Sequence, residues 1–133
     1  MRFMMFMLPN EPGQLDPGSP QVPTAEAVSE MTKYNDELVK AGVMLTGEGL
    51  HPQNEGHRIT FSGGKRTVID GPYTEAKEAI GGYWIIQTKT KDEALEWAKR
   101  VPQVGTTDFT IELRQIFEMD EFPPDVQAAA GHE

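Results

Sequence analysis

Cysteine is absent from the 133 residues, which removes disulfides, thiolate nucleophiles and Cys-based zinc sites in one step. The same absence fits a reducing compartment, and a cytoplasmic location is expected. Long apolar runs are missing as well. The opening stretch MRFMMFML is apolar for six residues, Phe3 to Leu8, before Pro9 ends it. A membrane-crossing helix needs about 20 such residues, and no small-residue cleavage site follows. The stretch therefore reads as a buried strand, and no membrane partner is expected. Basic clusters are scarce too. Lys and Arg number 12 against 21 Asp and Glu, the net charge is −9, and the longest basic run is Lys65-Arg66. Binding nucleic-acid phosphates needs a clustered positive surface, so no nucleic-acid partner is expected. With three histidines, no thiols and scattered carboxylates, neither a transition-metal site nor a cofactor is expected.

What is present is an ordinary globular composition, 38% hydrophobic and 25% charged, in a chain long enough for one domain. A single domain is expected over 1–118, with an acidic, mobile tail over 119–133. Phe3 to Leu8 is apolar on both faces of a strand. Residues 9–23 carry five prolines, Pro9, Pro12, Pro17, Pro20 and Pro23, and form a long loop. Thr24 caps a helix that runs to about Ala41, with Gly42 as a left-handed stop. Its buried stripe is Ala27, Met31, Tyr34 and Leu38, while Lys33 with Glu37 and Asp36 with Lys40 form solvent-side pairs. Val43 to Leu50 is a second strand. Arg58–Ser62 and Lys65–Asp70 make a hairpin around Gly63-Gly64.

Gly81-Gly82 release the chain into a strand from Tyr83 to Thr88. Thr90-Lys91-Asp92-Glu93 is a capping box for a helix over Lys91 to Val101, with Ala94, Leu95, Ala98 and Val101 as its core face. The last strand spans Phe109 to Phe117, its apolar face made of Phe109, Ile111, Leu113 and Phe117. The order strand, helix, strand, hairpin, strand, helix, strand predicts an α+β, ferredoxin-like sheet with both helices on one face. The other face is left apolar by the first strand and by Tyr83–Thr88. A second copy packing there, burying about 800 Å² or more per partner, predicts a homodimer.

The candidate functional segment is Asp70-Gly71-Pro72-Tyr73-Thr74-Glu75-Ala76-Lys77-Glu78. On spacing alone it reads first as a capped turn, since Asp, Gly and Pro all form turns. Lys77 and Glu78 fit solvated helix charges equally well. Counting outward from a two-residue Gly63-Gly64 loop sets His57 opposite Asp70, a pairing that would orient an imidazole and raise its basicity. His51 sits in Gly49-Leu50-His51-Pro52; His132, in the tail, is incidental. Glu112 and Arg114 share the polar face of the last strand and point toward the dimer side. There they hold each other as an ion pair, or Arg114 grips a ligand carboxylate.

The run from Asp70 to Glu78, followed by Gly81-Gly82-Tyr83-Trp84, resembles the signature of the DGPF-domain branch of the YCII-related proteins. Ala41-Gly42-Val43, Gly47-Glu48-Gly49-Leu50-His51-Pro52, Ala94-Leu95-Glu96-Trp97-Ala98 and Glu112-Leu113-Arg114 match the same family, over about Thr24 to Ile116. The resemblance implies a ferredoxin-like subunit that dimerises into an α+β barrel. It also implies a bacterial cytoplasmic protein with a functional link to an alternative sigma factor. YCII proteins proper carry a His and Asp pair with the His on the first helix; here that helix offers Met31, Lys33 and Tyr34.

Two functions follow. In one, the protein is an enzyme acting on an unidentified small molecule in a pocket at the sheet face. Asp70, His51 and Lys77 are then the catalytic candidates, and Tyr73, Glu75, Glu78, Tyr83, Glu112 and Arg114 the ligand-binding ones. In the other, the same residues shape a non-catalytic ligand-binding or regulatory dimer linked to sigma-factor signalling.

Overall fold

The computed structural model describes residues 1–10, 24–51, 55–71, 80–103 and 108–131. In order they form β1 (Arg2–Pro9), α1 (Ala25–Lys40), β2 (Met44–Gly49), β3 (His57–Ser62), β4 (Lys65–Asp70), β5 (Gly82–Gln87), α2 (Lys91–Lys99) and β6 (Phe109–Gln115). A 3-10 turn (Met119–Glu121) and a short helix α3 (Pro124–Ala129) follow. Four strands make one antiparallel sheet in the order β2-β5-β1-β6, and β3 with β4 form a separate two-stranded hairpin. This is the ferredoxin-like arrangement the element order predicts, with the hairpin inserted between its two halves.

Local signals place the ends of the elements. The Thr24 hydroxyl accepts from the Ala27 amide at 3.1 Å and starts α1. Gly42, at φ +71°, ends it in the left-handed conformation that other residues adopt at a cost. At α2 the Thr90 hydroxyl accepts from Glu93 N at 3.2 Å, while the Glu93 carboxylate accepts from Lys89 N at 3.3 Å. The expected capping box is thus drawn back by one residue on its return bond. Gly63 and Gly64, at φ +57° and +77°, form the tight hairpin turn whose twist suits two antiparallel strands.

Both helices cover one face of the sheet. Phe3 and Met5 of β1, Trp84 and Ile86 of β5, Tyr34 and Leu38 of α1, and Ala94 of α2 are buried together. Phe3, Met5, Leu38 and Ile86 are the largest fully buried side chains, each contributing roughly 1.5–3 kcal/mol by leaving water. Tyr34 meets Trp84 and Trp97 edge-on at 5.9 and 6.4 Å, and its hydroxyl donates to the Trp97 carbonyl at 2.7 Å. That bond satisfies the one polar atom the ring carries into the core.

The packing corrects several expectations. Leu95 is 40% exposed; the inward stripe of α2 is Ala94, Trp97, Ala98 and Val101, steps of three, four and seven from which Leu95 is rotated by one position. Lys33 pairs with Glu30 at 3.1 Å instead of with Glu37, because Glu37 is held by Arg100 at the end of α2. Arg100 also lies over the Trp97 ring, 4.2 Å from its centroid. Phe117 lies beyond the end of β6, 72% exposed, and meets Phe122 at 5.2 Å rather than the core. The acidic stretch after β6 is tied back to β1 by a two-pronged ion pair. Arg2 Nε donates to Glu118 Oε1 at 2.8 Å and its second guanidinium nitrogen to Oε2 at 3.1 Å.

A bulge in β2 decides what each sheet face presents. The register slips between Met44 and Thr46, so Met44 lies opposite Ile86 but Gly47 lies opposite Trp84. Residues directly opposite one another share a face. Met44 and Gly47 therefore look toward the helices, and Thr46 and Glu48 look away. The open face carries two cross-strand rows: Glu48, Tyr83, Phe6 and Glu112, then Thr46, Ile85, Met4 and Arg114.

Candidate functional site

Asp70 ends β4, and the register sets it opposite His57, as counting from the Gly63-Gly64 turn predicts. His57 Nδ1 and Asp70 Oδ1 are 2.7 Å apart. Beneath them, Gly71 N donates to the Gly56 carbonyl at 3.0 Å and closes the base of the hairpin. The carboxylate can hold the orientation of the ring. Both side chains are open to solvent, 64% and 76% exposed, so water competes for every bond they make. His51 turns to Glu55, 3.3 Å away, rather than to Asp70, and is 86% exposed. Lys77, Tyr73, Glu75 and Glu78 lie outside the described residues.

Three further candidates, Tyr83, Glu112 and Arg114, lie on the open sheet face. Tyr83 is opposite Phe6 and Glu48; Glu112 and Arg114 are opposite Phe6 and Met4 and are exposed. Among the described residues no ion pair joins Glu112 to Arg114, so of the two readings of this pair the bridged one is not adopted. Also among the described residues, no three His, Asp or Glu side chains gather closely enough to hold a metal ion.

A concavity lies elsewhere, on the helix side of the sheet where β2 ends and β5 begins. It has a volume of about 330 Å³, and Met7, Met31, Asn35, Gly49, Leu50 and Trp84 are among the residues that line it, with Gly47, Glu48 and Gly81 to Tyr83 completing the wall. Its origin is a missing row of side chains. Gly49 lies opposite Gly82, which lies opposite Met7, so two of three neighbouring positions beneath α1 offer only backbone. An added methyl at Gly49 would meet nothing within 4 Å, whereas one at Gly47 would strike Met44 Cε at 2.5 Å and Trp84 Cδ1 at 2.8 Å. Gly47 is thus small so that Trp84 can pack over it, and Gly49 leaves space open.

The walls are mainly apolar, and the polar group within is Asn35. Its Oδ1 accepts from Trp84 Nε1 at 2.9 Å, which orients the amide and leaves its NH2 as a donor with no protein partner among the described residues. Such a pocket suits a small apolar molecule with a hydrogen-bond acceptor. Tyr34, beside this wall, has its phenol pushed up well above the ordinary range, first by burial; Arg100 opposes the shift and Glu37 adds to it. It stays neutral and serves as packing. Reasoning from sequence missed Asn35, Trp84, Met7 and Met31 as pocket residues. The available signal was the pair of glycine clusters, Gly47 with Gly49 and Gly81 with Gly82, which the strand register brings side by side.

In sequence, the hairpin lies between the two strands that wall the cavity. β2 leaves the cavity wall at Leu50, whose amide bonds the Gly81 carbonyl at 3.0 Å, and the chain returns from the hairpin to the same wall at Gly81. The segment that begins at Asp70 therefore connects the His57–Asp70 pair to the cavity rim. Sequence comparison places the chain in a known family. The model of the YCII-related domain matches residues 1–120. An uncharacterized protein of Rhizobium meliloti (strain 1021) is 26% identical over 87 residues, covering 65% of this chain and 70% of the relative. With nearly the whole ferredoxin-like unit matched, the chain belongs to the YCII-related family.

Proposed function

We propose that this YCII-related protein binds a small, largely apolar molecule in the cavity between α1 and the ends of β2 and β5. The observation that carries the reading is the open space beside Gly49, walled by Met31, Asn35 and Trp84. A chain that only needed a stable core would fill it, because an unfilled space loses dispersion contacts on every side. The Asn35 amide supplies the directional contact, and Trp84 and the two methionines supply adaptable apolar walls. The pocket thus lies on the helix side of the sheet, and Tyr83 contributes to its rim. The role of such a binder is regulatory, in keeping with the link to an alternative sigma factor implied by the DGPF-type motif.

A second reading, an enzyme using Asp70 with His57, is favoured by the 2.7 Å contact between them. It requires the pair to be shielded from water, as acid–base groups are more effective in a dry site. The protein is read as a cytoplasmic homodimer in either case, joined across the open sheet face where Met4, Phe6, Tyr83 and Ile85 are half-buried.

Ligand-observed NMR with a library of small neutral aromatic compounds tests the binding reading. Compounds that bind the wild type should be lost on Gly49→Val, which fills the open space, while the unfolding midpoint stays within a few degrees. Binding that survives Gly49→Val unchanged would remove the cavity from the argument. Asp70→Asn separates the readings: a binder keeps its affinity, and an enzyme loses turnover.

A further inference from the structure

The hairpin of β3 and β4 carries chemistry that neither the core nor the cavity uses. Every second register pair shares a face, so His57–Asp70, Ile59–Val68 and Phe61–Arg66 lie on one side. Ile59, Phe61 and Val68 are 56%, 68% and 63% exposed, and no third strand joins the two-stranded sheet among the described residues. An isolated two-stranded hairpin is marginally stable in water, and a contiguous apolar face on one is a surface meant to be covered. Its charge is also unlike that of its surroundings. Residues 57–70 hold Arg58, Lys65 and Arg66 against Asp70, a balance of +2 in a chain of −9, so the remainder carries −11.

We propose that this hairpin is an arm that docks onto a second copy of the same chain. Complementarity of charge selects that partner. An arm that is cationic and apolar meets, on another copy, a surface that is acidic and apolar. On the open sheet face the row through Tyr83 and Phe6 ends in Glu48 on β2 and Glu112 on β6. This row, not the neighbouring one that ends in Arg114, is the acidic part that meets the arm. Arg66, held 5.2 Å above the Phe61 ring, is placed to meet such a rim carboxylate while Phe61 covers the apolar edge. Three side chains cannot supply the roughly 800 Å² per partner of a stable pair. The arm therefore adds to contact across the open sheet face, and in a twofold dimer it does so twice.

The inference rests on the homodimer reading above, and sedimentation velocity on the full chain separates the two. The variants are Phe61→Glu and Arg66→Glu on the arm, and Phe6→Glu on the sheet face. Self-association of the wild type should weaken about tenfold or more on Phe61→Glu, as for a central interface aromatic. Arg66→Glu should weaken it less and reduce its salt dependence. Circular dichroism should stay native for all three, since none lies in the buried core. A photo-crosslinker on Ser62→Cys, a unique thiol in this chain, should join isotopically labelled to unlabelled copies. Loss of association on Phe6→Glu with none on Phe61→Glu would keep the dimer and overturn the arm. A wild type monomeric at 100 μM (about the top of the useful range for a specific pair) would overturn both.

Discussion

The two faces of the four-stranded sheet start from nearly the same sequence material and end in opposite states. On β1, Phe3 and Met5 face the helices and are fully buried, while Met4 and Phe6, equally apolar, face away and stay half-buried. On β5, Trp84 and Ile86 are covered and Tyr83 and Ile85 are not. The difference comes from what lies across from each face. The covered face receives apolar stripes from α1 and α2. The open face receives none among the described elements and is rimmed by Glu48, Glu112 and Arg114. Hydrophobicity along a strand therefore fixes that both faces resist water, and the helices decide which is closed within one chain.

The sharpest way to break this contrast is to truncate one side chain on each face. Leu38→Ala, beneath the covered face, should destabilise by about 2–5 kcal/mol in urea unfolding, the range for a large core side chain. That loss should be independent of protein concentration. Phe6→Ala, on the open face, should have an effect that grows with concentration if the proposed homodimer supplies its partner. An equally large loss for Phe6→Ala at the lowest measurable concentration would mean that the open face is closed within the monomer.

Two glycines sharpen the comparison within the covered face itself. At Gly47 a methyl group would strike Met44 Cε at 2.5 Å and Trp84 at 2.8 Å, whereas at Gly49 it meets open space. Gly47→Ala should therefore destabilise by about 1–3 kcal/mol through overpacking, and Gly49→Ala by less than about 1 kcal/mol. Thermal unfolding of both variants at one concentration reads the difference. If the two cost the same, the gap beneath α1 is not held open in solution and the cavity loses its basis.

The element order, the cap at Thr24, the Gly63-Gly64 turn and the facing of His57 and Asp70 were all legible in the sequence, because each is written in neighbouring residues or in a count from a tight turn. What was not legible depends on pairing between distant segments. Gly47-Glu48-Gly49 read only as part of the second strand and Gly81-Gly82 as the release into the next, and only the register of β2 on β5, shifted by a bulge, lays Gly49 beside Gly82. Leu95 and Trp97 are both apolar, and helical spacing alone admits either. The choice falls to Trp97 because Tyr34 arrives from α1 with an edge for its ring and a hydroxyl for its carbonyl. The candidate site was legible in its hairpin half and hidden in its cavity half for the same reason.

The smallest expected effect concerns the acidic stretch beyond β6, which neither sheet face covers and which one ion pair ties to the start of β1. The Arg2 guanidinium, bonded to both carboxylate oxygens, holds the Glu118 carboxyl below its usual range; burial opposes the shift, and the amino terminus adds to it. A carboxyl whose folded value lies below its unfolded value stabilises the folded form fully above the unfolded value, about 4.3 for Glu. That contribution fades as pH falls through the folded value, once Glu118 is protonated and Arg2 loses its partner. Because both side chains are exposed, the bond governs the attachment of residues 117–131, beyond the backbone bond from Ile116 N to the Arg2 carbonyl, and not the stability of the sheet. NMR titration of the Glu118 carboxyl should thus give a midpoint below the ordinary value, moving up to it on Arg2→Gln. Limited proteolysis should then cut sooner after β6 in that variant at neutral pH, with the unfolding midpoint of the sheet unchanged. A matching loss of sheet stability would show that the stretch belongs to the core and that the contrast between closed and open faces extends further than β6.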